Sequence, residues 1–308
     1  MGRIDLHHHV VPRVYREALS RAGADAVGGI PLPPWSEEEM IERMDALDIE
    51  RAIVSVSAPG TLPLPNAEAA PVARAVNDEL AALRDAHATR LGVFATLPLP
   101  DVPASLTELE RALGVLRVDG VSLLTSYDGT YLGDPAFEPL LAALDDRRAL
   151  VHLHPNLPVP GPAGLVLPAP VLEFVFDTTR AVADLIVRGT LRRFPSIRWV
   201  LAHLGGALPF LAPRLSMLDS ALAREHLGGP RDDVVEHLRE VAYDIALSGS
   251  PANLALALAT VGPERLVYGS DVPFAPPGAG AIAAGGLASV DPEVRAAIER
   301  GNAERLLA

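Results

Sequence analysis

Two histidines separated by one residue, at the end of a short apolar run, carry the first chemistry in this chain: Ile4-Asp5-Leu6-His7-His8-His9-Val10. The run reads as a buried strand, in which successive side chains leave on opposite faces. His7 and His9 then share a face with Asp5 beneath them, and His8 turns to the other side. Imidazoles about 6–7 Å apart along one strand face can converge on a single metal ion. Taken alone the pair is weak evidence, because a buried histidine more often ends as a hydrogen-bonded core residue.

The rest of the chain supplies companions. His152 and His154 share a face of the run Ala149–Pro155. His203 closes Leu201-Ala202-His203-Leu204-Gly205-Gly206, and Asp271 closes Tyr268-Gly269-Ser270-Asp271-Val272-Pro273. Each sits near the end of an apolar, β-rich run. Burying several imidazoles and a carboxylate without a ligand is costly, so the set points to one mononuclear metal site. Within the fifth run His154, beside Pro155, is the better ligand; His152 lies a layer deeper and is expected to be a hydrogen-bonded core residue. Asp5 is expected below the metal, holding a ligand histidine by its second nitrogen. His8 is expected to be structural, and His87, His226 and His237, in helical patterns, to lie at the surface.

Those residues need a frame that aims strand ends at one point. Runs with strand character recur at Ile4–Val10, Ala52–Ser57, Leu91–Leu99, Gly120–Tyr127, Ala149–Pro155, Arg198–Gly205, Val241–Ser248 and Leu266–Pro273. Each gap is long enough for a crossover helix. Helix signals fill the gaps: a capping box at Ser36-Glu37-Glu38-Glu39 opening Ser36–Leu47, an Ala-rich stretch Ala67–Ala88, and a closing helix near Pro292–Leu307. Asp177-Thr178 precedes the periodic run Ala181-Leu185-Ile186 and reads as a helix start. The order predicts a (β/α)8 TIM barrel in which residues 1–308 form one domain. A doubly wound sheet is the competitor, but no GxGxxG follows an early strand. Gly23–Pro34 and Pro155–Pro170, rich in Gly and Pro, interrupt the rhythm just past strand ends and are expected to wall the site.

Composition narrows the function. Hydrophobic residues make up 49% of the 308 and charged residues 21%, the balance of a globular enzyme with a large core. The net charge of −13 argues against nucleic acid or an anionic membrane surface as a partner. An anionic substrate therefore needs a local positive centre. The chain has no cysteine, which excludes disulfides and thiolate ligands, and no lysine, which excludes Schiff bases and a carbamylated lysine bridging two metals. No apolar run approaches the ~18 residues of a membrane span, and no signal peptide precedes the first strand, so a cytoplasmic protein is expected. A mean hydropathy of +0.24 makes a homodimer the expected assembly.

At this point a resemblance becomes specific. Asp5-x-His7-x-His9, His154-Pro155, Ala202-His203-x-Gly205-Gly206-Ala207-x-Pro209 and Gly269-Ser270-Asp271-x-Pro273 resemble the amidohydrolase superfamily, in its aminocarboxymuconate-semialdehyde-decarboxylase-like branch. Pro34-Trp35-Ser36, Ser57-Ala58-Pro59-Gly60, Tyr131-Leu132-Gly133-Asp134-Pro135, Phe176-Asp177-Thr178-Thr179-Arg180 and Ala246-Leu247-Ser248-Gly249-Ser250 are similar to its 6-methylsalicylate decarboxylase group. The resemblance implies that His7, His9, His154 and Asp271 hold one divalent metal, zinc with manganese as the alternative, and that His203 is the acid/base beside it. It also matches Arg214 to an arginine that binds a substrate carboxylate, sometimes in a neighbouring subunit; a surface helix arginine is the other reading.

The activity so implied is non-oxidative decarboxylation of a small aromatic carboxylate, a hydroxybenzoate of the 6-methylsalicylate type. Asp271 would deliver a proton to the ring carbon and His203 would orient or reprotonate it. A hydrolase or hydratase using an activated water on a lactone, amide or enol shares the same set and is the alternative. Trp35 is expected either to stack over the substrate ring or to serve as a packing plug.

Overall fold

The computed structural model describes residues 2–158, 167–219, 234–276 and 278–308. His226 and residues 159–166 of the Pro155–Pro170 stretch lie outside the described residues. Eight parallel strands follow one another around a single sheet. They are β1 (Arg3–His9), β2 (Ile49–Ser55), β3 (Leu91–Thr96), β4 (Gly120–Leu124), β5 (Leu150–His154), β6 (Arg198–Leu201), β7 (Ala242–Asp244) and β8 (Leu266–Val267). The long helices of the outer ring are α1 (Arg13–Arg21), α2 (Glu37–Ala46), α3 (Asn66–Ala86), α4 (Val102–Arg111), α5 (Glu138–Asp146), α6 (Ala169–Val187), α7 (Leu208–Leu215), α8 (Pro251–Val261) and α9 (Ala279–Ala288).

The ring closes between β1 and the segment after β8. Leu6 N–H donates to Tyr268 O (3.1 Å), Asp271 N–H to His7 O (2.8 Å) and His9 N–H to Val272 O (2.7 Å). The seam that makes the cylinder therefore also sets Asp271 beside His7.

Two apolar layers explain the architecture. Inside the barrel floor Ile4, Leu6, Ile53, Phe94, Leu150, Val200, Ala242 and Val267 meet Ala303 of the C-terminal helix Asn302–Leu307, with Leu306 and Leu307 packed below. Outside, Val54, Val93, Val121, Val151, Leu153 and Leu201 face the helices. Along β5 this gives Leu150 in the floor, His152 above it and His154 at the rim, the period-two order the sequence predicts.

The ends of the elements differ from the sequence expectation for a backbone reason. The expected runs Arg198–Gly205, Val241–Ser248 and Leu266–Pro273 are cut short as strands. His203, Leu204, Leu247 and Asp271 adopt positive φ of 55–58°, which breaks the ladder just past β6, β7 and β8. The Asp177-Thr178 expectation is also corrected. The helix starts at Ala169, and Asp177 and Thr178 lie buried in its middle, because Asp177 finds its partners in Thr125 and Tyr131 past β4 and Asn156 past β5 rather than in its own N-terminal amides. Ser36 does cap α2, its Oγ accepting from Glu39 N–H at 3.2 Å. The Gly23–Pro34 stretch folds into a small hairpin, Ala26–Val27 with Ile30–Pro31. Its Gly28 carbonyl accepts from Ala169 N–H at 3.1 Å, so the hairpin meets the start of α6.

Gly120 opens β4 where the neighbouring strand leaves no space: an added Cβ would stand 2.2 Å from Leu150 O. Gly120→Ala must push β4 from β5, and overpacking of this kind costs about 1–3 kcal/mol. Urea unfolding should show a lower midpoint with an unchanged slope, the extrapolated free energy falling by that amount.

Candidate metal centre and active site

An irregularity in β1 aims the two histidines. Asp5 pairs with Ala52 and His8 with Val54, so two residues of β1, Leu6 and His7, oppose Ile53 alone on β2. This is the signature of a β-bulge, which re-aims side chains next to functional sites. Ile4 and Leu6 point into the floor, yet His7 and His9 also point inward; the extra residue absorbs the change of face. The expectation that Asp5 lies beneath His7 is therefore corrected. Asp5 turns outward with His8, accepting from His8 Nδ1 (3.0 Å), His7 N–H (3.0 Å) and Ser270 N–H (3.1 Å). It ties β1 to the Asp271 segment and does not hold a ligand imidazole.

Four side chains meet at the mouth. The ligand atoms of His7, His9, His154 and Asp271 all lie within 4.8 Å of one another, and all four residues are buried. His7 Nε2 and His9 Nε2 are 2.9 Å apart, and Asp271 Oδ1 is 3.3 Å from each. Donors around a four-coordinate ion with bonds of about 2.0–2.1 Å stand roughly 3.3 Å apart. The separations among His7, His9 and Asp271 are close to that spacing, and His154 stands near enough to complete the donor set.

The second nitrogen of each imidazole is also occupied. His7 Nδ1 lies 2.9 Å from Asp244 Oδ2, His9 Nδ1 3.2 Å from Ser55 Oγ, and His154 Nδ1 2.8 Å from Pro155 O. A carboxylate and a carbonyl only accept, so His7 and His154 carry their protons on Nδ1 and turn Nε2 lone pairs to the mouth.

Electrostatics divide the cluster: without a cation His7 is pulled toward its protonated form, whose Nε2 proton a bound cation displaces, whereas His9, His152 and His154 are held neutral. Burial favours the neutral ring of His7, but the carboxylates of Asp244 and Asp271 outweigh it and push His7 up to about 10. Burial and the neighbouring imidazoles hold His154 well down, and burial with His7 nearby takes His152 to about 4. Burial alone would raise Asp244 and Asp271, yet the surrounding histidines keep both carboxyls well below the usual range. Two buried anions among mostly neutral imidazoles create a demand for positive charge, which a divalent ion meets.

His203 stands beside the cluster, its ring centroid 4.9 Å from that of His7 and 6.1 Å from that of His154. Its Nδ1 donates to Ala246 O at 3.0 Å, leaving Nε2 as the basic atom. His203 and Asp271 both sit at positive φ (56° and 58°), the kind of strained backbone that collects at functional sites.

Sequence reasoning missed Asp244. Its Oδ2 lies 2.9 Å from His7 Nδ1 and 3.2 Å from His152 Nε2. Its Oδ1 accepts from the backbone N–H of His203 (3.1 Å) and of Ala246 (3.0 Å). One carboxylate therefore orients a cluster histidine and fixes the turn bearing His203. The available signal was its position: a carboxylate ending the seventh run, as Asp271 ends the eighth. Asp244→Asn keeps the shape but cannot accept from both the imidazoles and the two backbone N–H groups, and should weaken metal binding by about 10–100-fold, read by competition against a chelator.

Two other residues are not brought to the cluster. Trp35 lines a small recess with His8, Met40, Arg43 and Pro273, on the outer side of β1, because His8 and the segment after β8 present their helix-facing surfaces there. Arg214 is exposed in the last turn of α7. His87 ends α3 and pairs with Glu37 at 2.7 Å.

Comparison with known proteins follows the same lines. The family model described as amidohydrolase matches residues 4–308. A 6-methylsalicylic acid decarboxylase from Penicillium expansum is 38% identical over 281 residues, covering 90% of this chain and 86% of the relative. A crystal structure described as amidohydrolase II superposes with a TM-score of 0.92 at 31% identity over 99% of each chain. A dihydroxybenzoic acid decarboxylase from Polaromonas, solved with manganese and 2-nitroresorcinol, superposes at 0.80 and 22% identity, covering 99% of this chain and 96% of that one, a likeness of fold. From the bulged first strand to the C-terminal plug, the chain belongs to the amidohydrolase family.

Proposed function

We propose that this protein is a metal-dependent, non-oxidative decarboxylase of a small hydroxybenzoate of the 6-methylsalicylate type. The observation that carries the reading is the convergence of three imidazoles and Asp271 beside a separately held His203. The 38% identity to a 6-methylsalicylic acid decarboxylase supports the substrate class.

His7, His9, His154 and Asp271 would hold a divalent cation, which would supply Lewis-acid charge for an anionic substrate. The chain's own residues handle the proton. Asp271 delivers a proton to the ring carbon that bears the carboxylate. The bond from that carbon to the carboxylate then breaks, its electron pair restores the ring, and carbon dioxide leaves. His203 Nε2, with Nδ1 anchored on Ala246, returns a proton to Asp271 from solvent. Asp244 keeps His7 and the His203 turn in register throughout.

Three imidazoles and a carboxylate suit zinc best, with manganese as the alternative. We take residues 1–308 as one catalytic unit, working as a cytoplasmic homodimer. The exposed Phe210 and Met217, at 72% and 65%, support an interface; sedimentation velocity tests it. Among the described residues no helix is long and apolar enough to cross a membrane.

The deciding experiment combines elemental analysis with a screen for carbon dioxide release from hydroxybenzoates and for hydrolysis of a lactone panel. The proposal expects about one divalent ion per chain, as a single four-residue donor set implies, and carbon dioxide release without lactone turnover. Lactone hydrolysis alone would assign the site to the hydrolase alternative.

A further inference from the structure

Helix α6 carries a carboxylate that packing does not require. Asp177 lies in the middle of the helix with no exposed surface. Its Oδ1 accepts from Tyr131 OH at 2.8 Å, and its Oδ2 from the Thr125 hydroxyl. Asn156 N–H lies 3.0 Å from Thr125 Oγ1 and 3.4 Å from Asp177 Oδ2. Asn156 Nδ2 in turn donates to Ser126 O at 3.1 Å, and Thr125 N–H donates to His154 O at 2.9 Å. A buried carboxylate is costly unless its acceptors are filled; an apolar side chain would pack α6 more cheaply. What Asp177 gains in return is control of the segment that follows β5.

That segment begins with His154. The acceptor that orients its imidazole is Pro155 O, in the peptide joined to Asn156. If the Pro155–Asn156 peptide turned, His154 Nδ1 would lose its partner and the ring its fixed direction. Phe174, one turn before Asp177, stands edge-on to the same ring, with centroids 6.0 Å apart and planes at 81°. One face of α6 therefore holds the His154 ring by its side and the outgoing backbone by its amide.

We infer that Asp177 is a positioning residue for His154, acting through the Thr125 hydroxyl and the Pro155–Asn156 peptide to aim Nε2 at the cation. The inference rests on His154 being a metal ligand. It assigns a role in metal affinity to Asp177 and Thr125, neither of which belongs to the donor cluster.

Cobalt(II) titration of metal-stripped protein, followed by visible absorption, tests it without substrate. Thr125→Val and Asp177→Leu should weaken cobalt binding by about 10–100-fold and alter the intensity of the bands, since loss of an outer partner costs that much. Asp177→Asn keeps an acceptor for the Thr125 hydroxyl and should recover most of the affinity. In a His154→Ala background Thr125→Val should cost nothing more, whereas in a His9→Ala background its cost should persist; such non-additivity marks residues acting as one unit. A lowered melting temperature with unchanged cobalt affinity would overturn the inference, as would an equal loss in both backgrounds. Should Asp177→Leu fail to fold, the near-isosteric Thr125→Val carries the test alone. If the parent protein itself takes up no cobalt, the metal-site reading falls and this inference with it, a result distinct from the other two.

Discussion

Asp271→Asn will lose about 10⁴-fold in decarboxylation rate with metal at saturation, the upper range of what a positioned proton carrier contributes. The substitution removes the one anionic donor of the mouth, whose Oδ1 is 3.3 Å from both His7 Nε2 and His9 Nε2. It also removes the atom that can carry a proton. The fold should survive, because Asp271 holds φ at 58° and asparagine tolerates that region almost alone among non-glycine residues. The backbone bond from Asp271 N–H to His7 O, 2.8 Å, is untouched. Carbon dioxide release and metal content must be measured on the same preparation. Wild-type turnover by metal-loaded Asp271→Asn would remove this residue from the proton path.

His203→Ala should keep its metal and lose about 10²–10⁴-fold in kcat, the ordinary span of general acid–base catalysis. The reasoning is geometric: His203 is not one of the four residues whose ligand atoms cluster, and its Nδ1 is committed to Ala246 O. One complication is its backbone, at φ 56°. Alanine tolerates this region poorly, so part of any loss could come from the turn rather than the imidazole. His203→Asn separates the two, since asparagine accepts the conformation but cannot replace Nε2 as a base. Equal defects in both variants assign the loss to the missing imidazole. Recovery in His203→Asn, or loss of metal from either, would show that the residue supports the site instead of working in it.

Much of this was legible before any coordinates. The period-two spacing of His7 with His9 and of His152 with His154 fixes which side chains share a face, and β5 bears out the depth order of the second pair. The regular alternation of apolar runs and helix signals dictates a parallel barrel, and a barrel brings the ends of β1, β5, β6 and β8 to one rim. Other readings failed for want of long-range information. Asp177-Thr178 has the residue types of a helix start, yet Thr125, Tyr131 and Asn156 draw Asp177 into a helix interior. Strict alternation places Asp5 beneath His7, yet the bulge in β1 turns it outward to Ser270.

The local pattern of side chains determined the strands and which of their histidines share a face, because chain geometry alone sets the alternation of a strand. Only the tertiary structure decided that β1 bulges between Asp5 and His8, sending Asp5 outward to Ser270 while His7 stays inward. It likewise decided that Asp244 joins His7 to the His203 turn. Register shifts and hydrogen bonds across more than forty or two hundred residues arise from pairing between strands, and no run read by itself contains them.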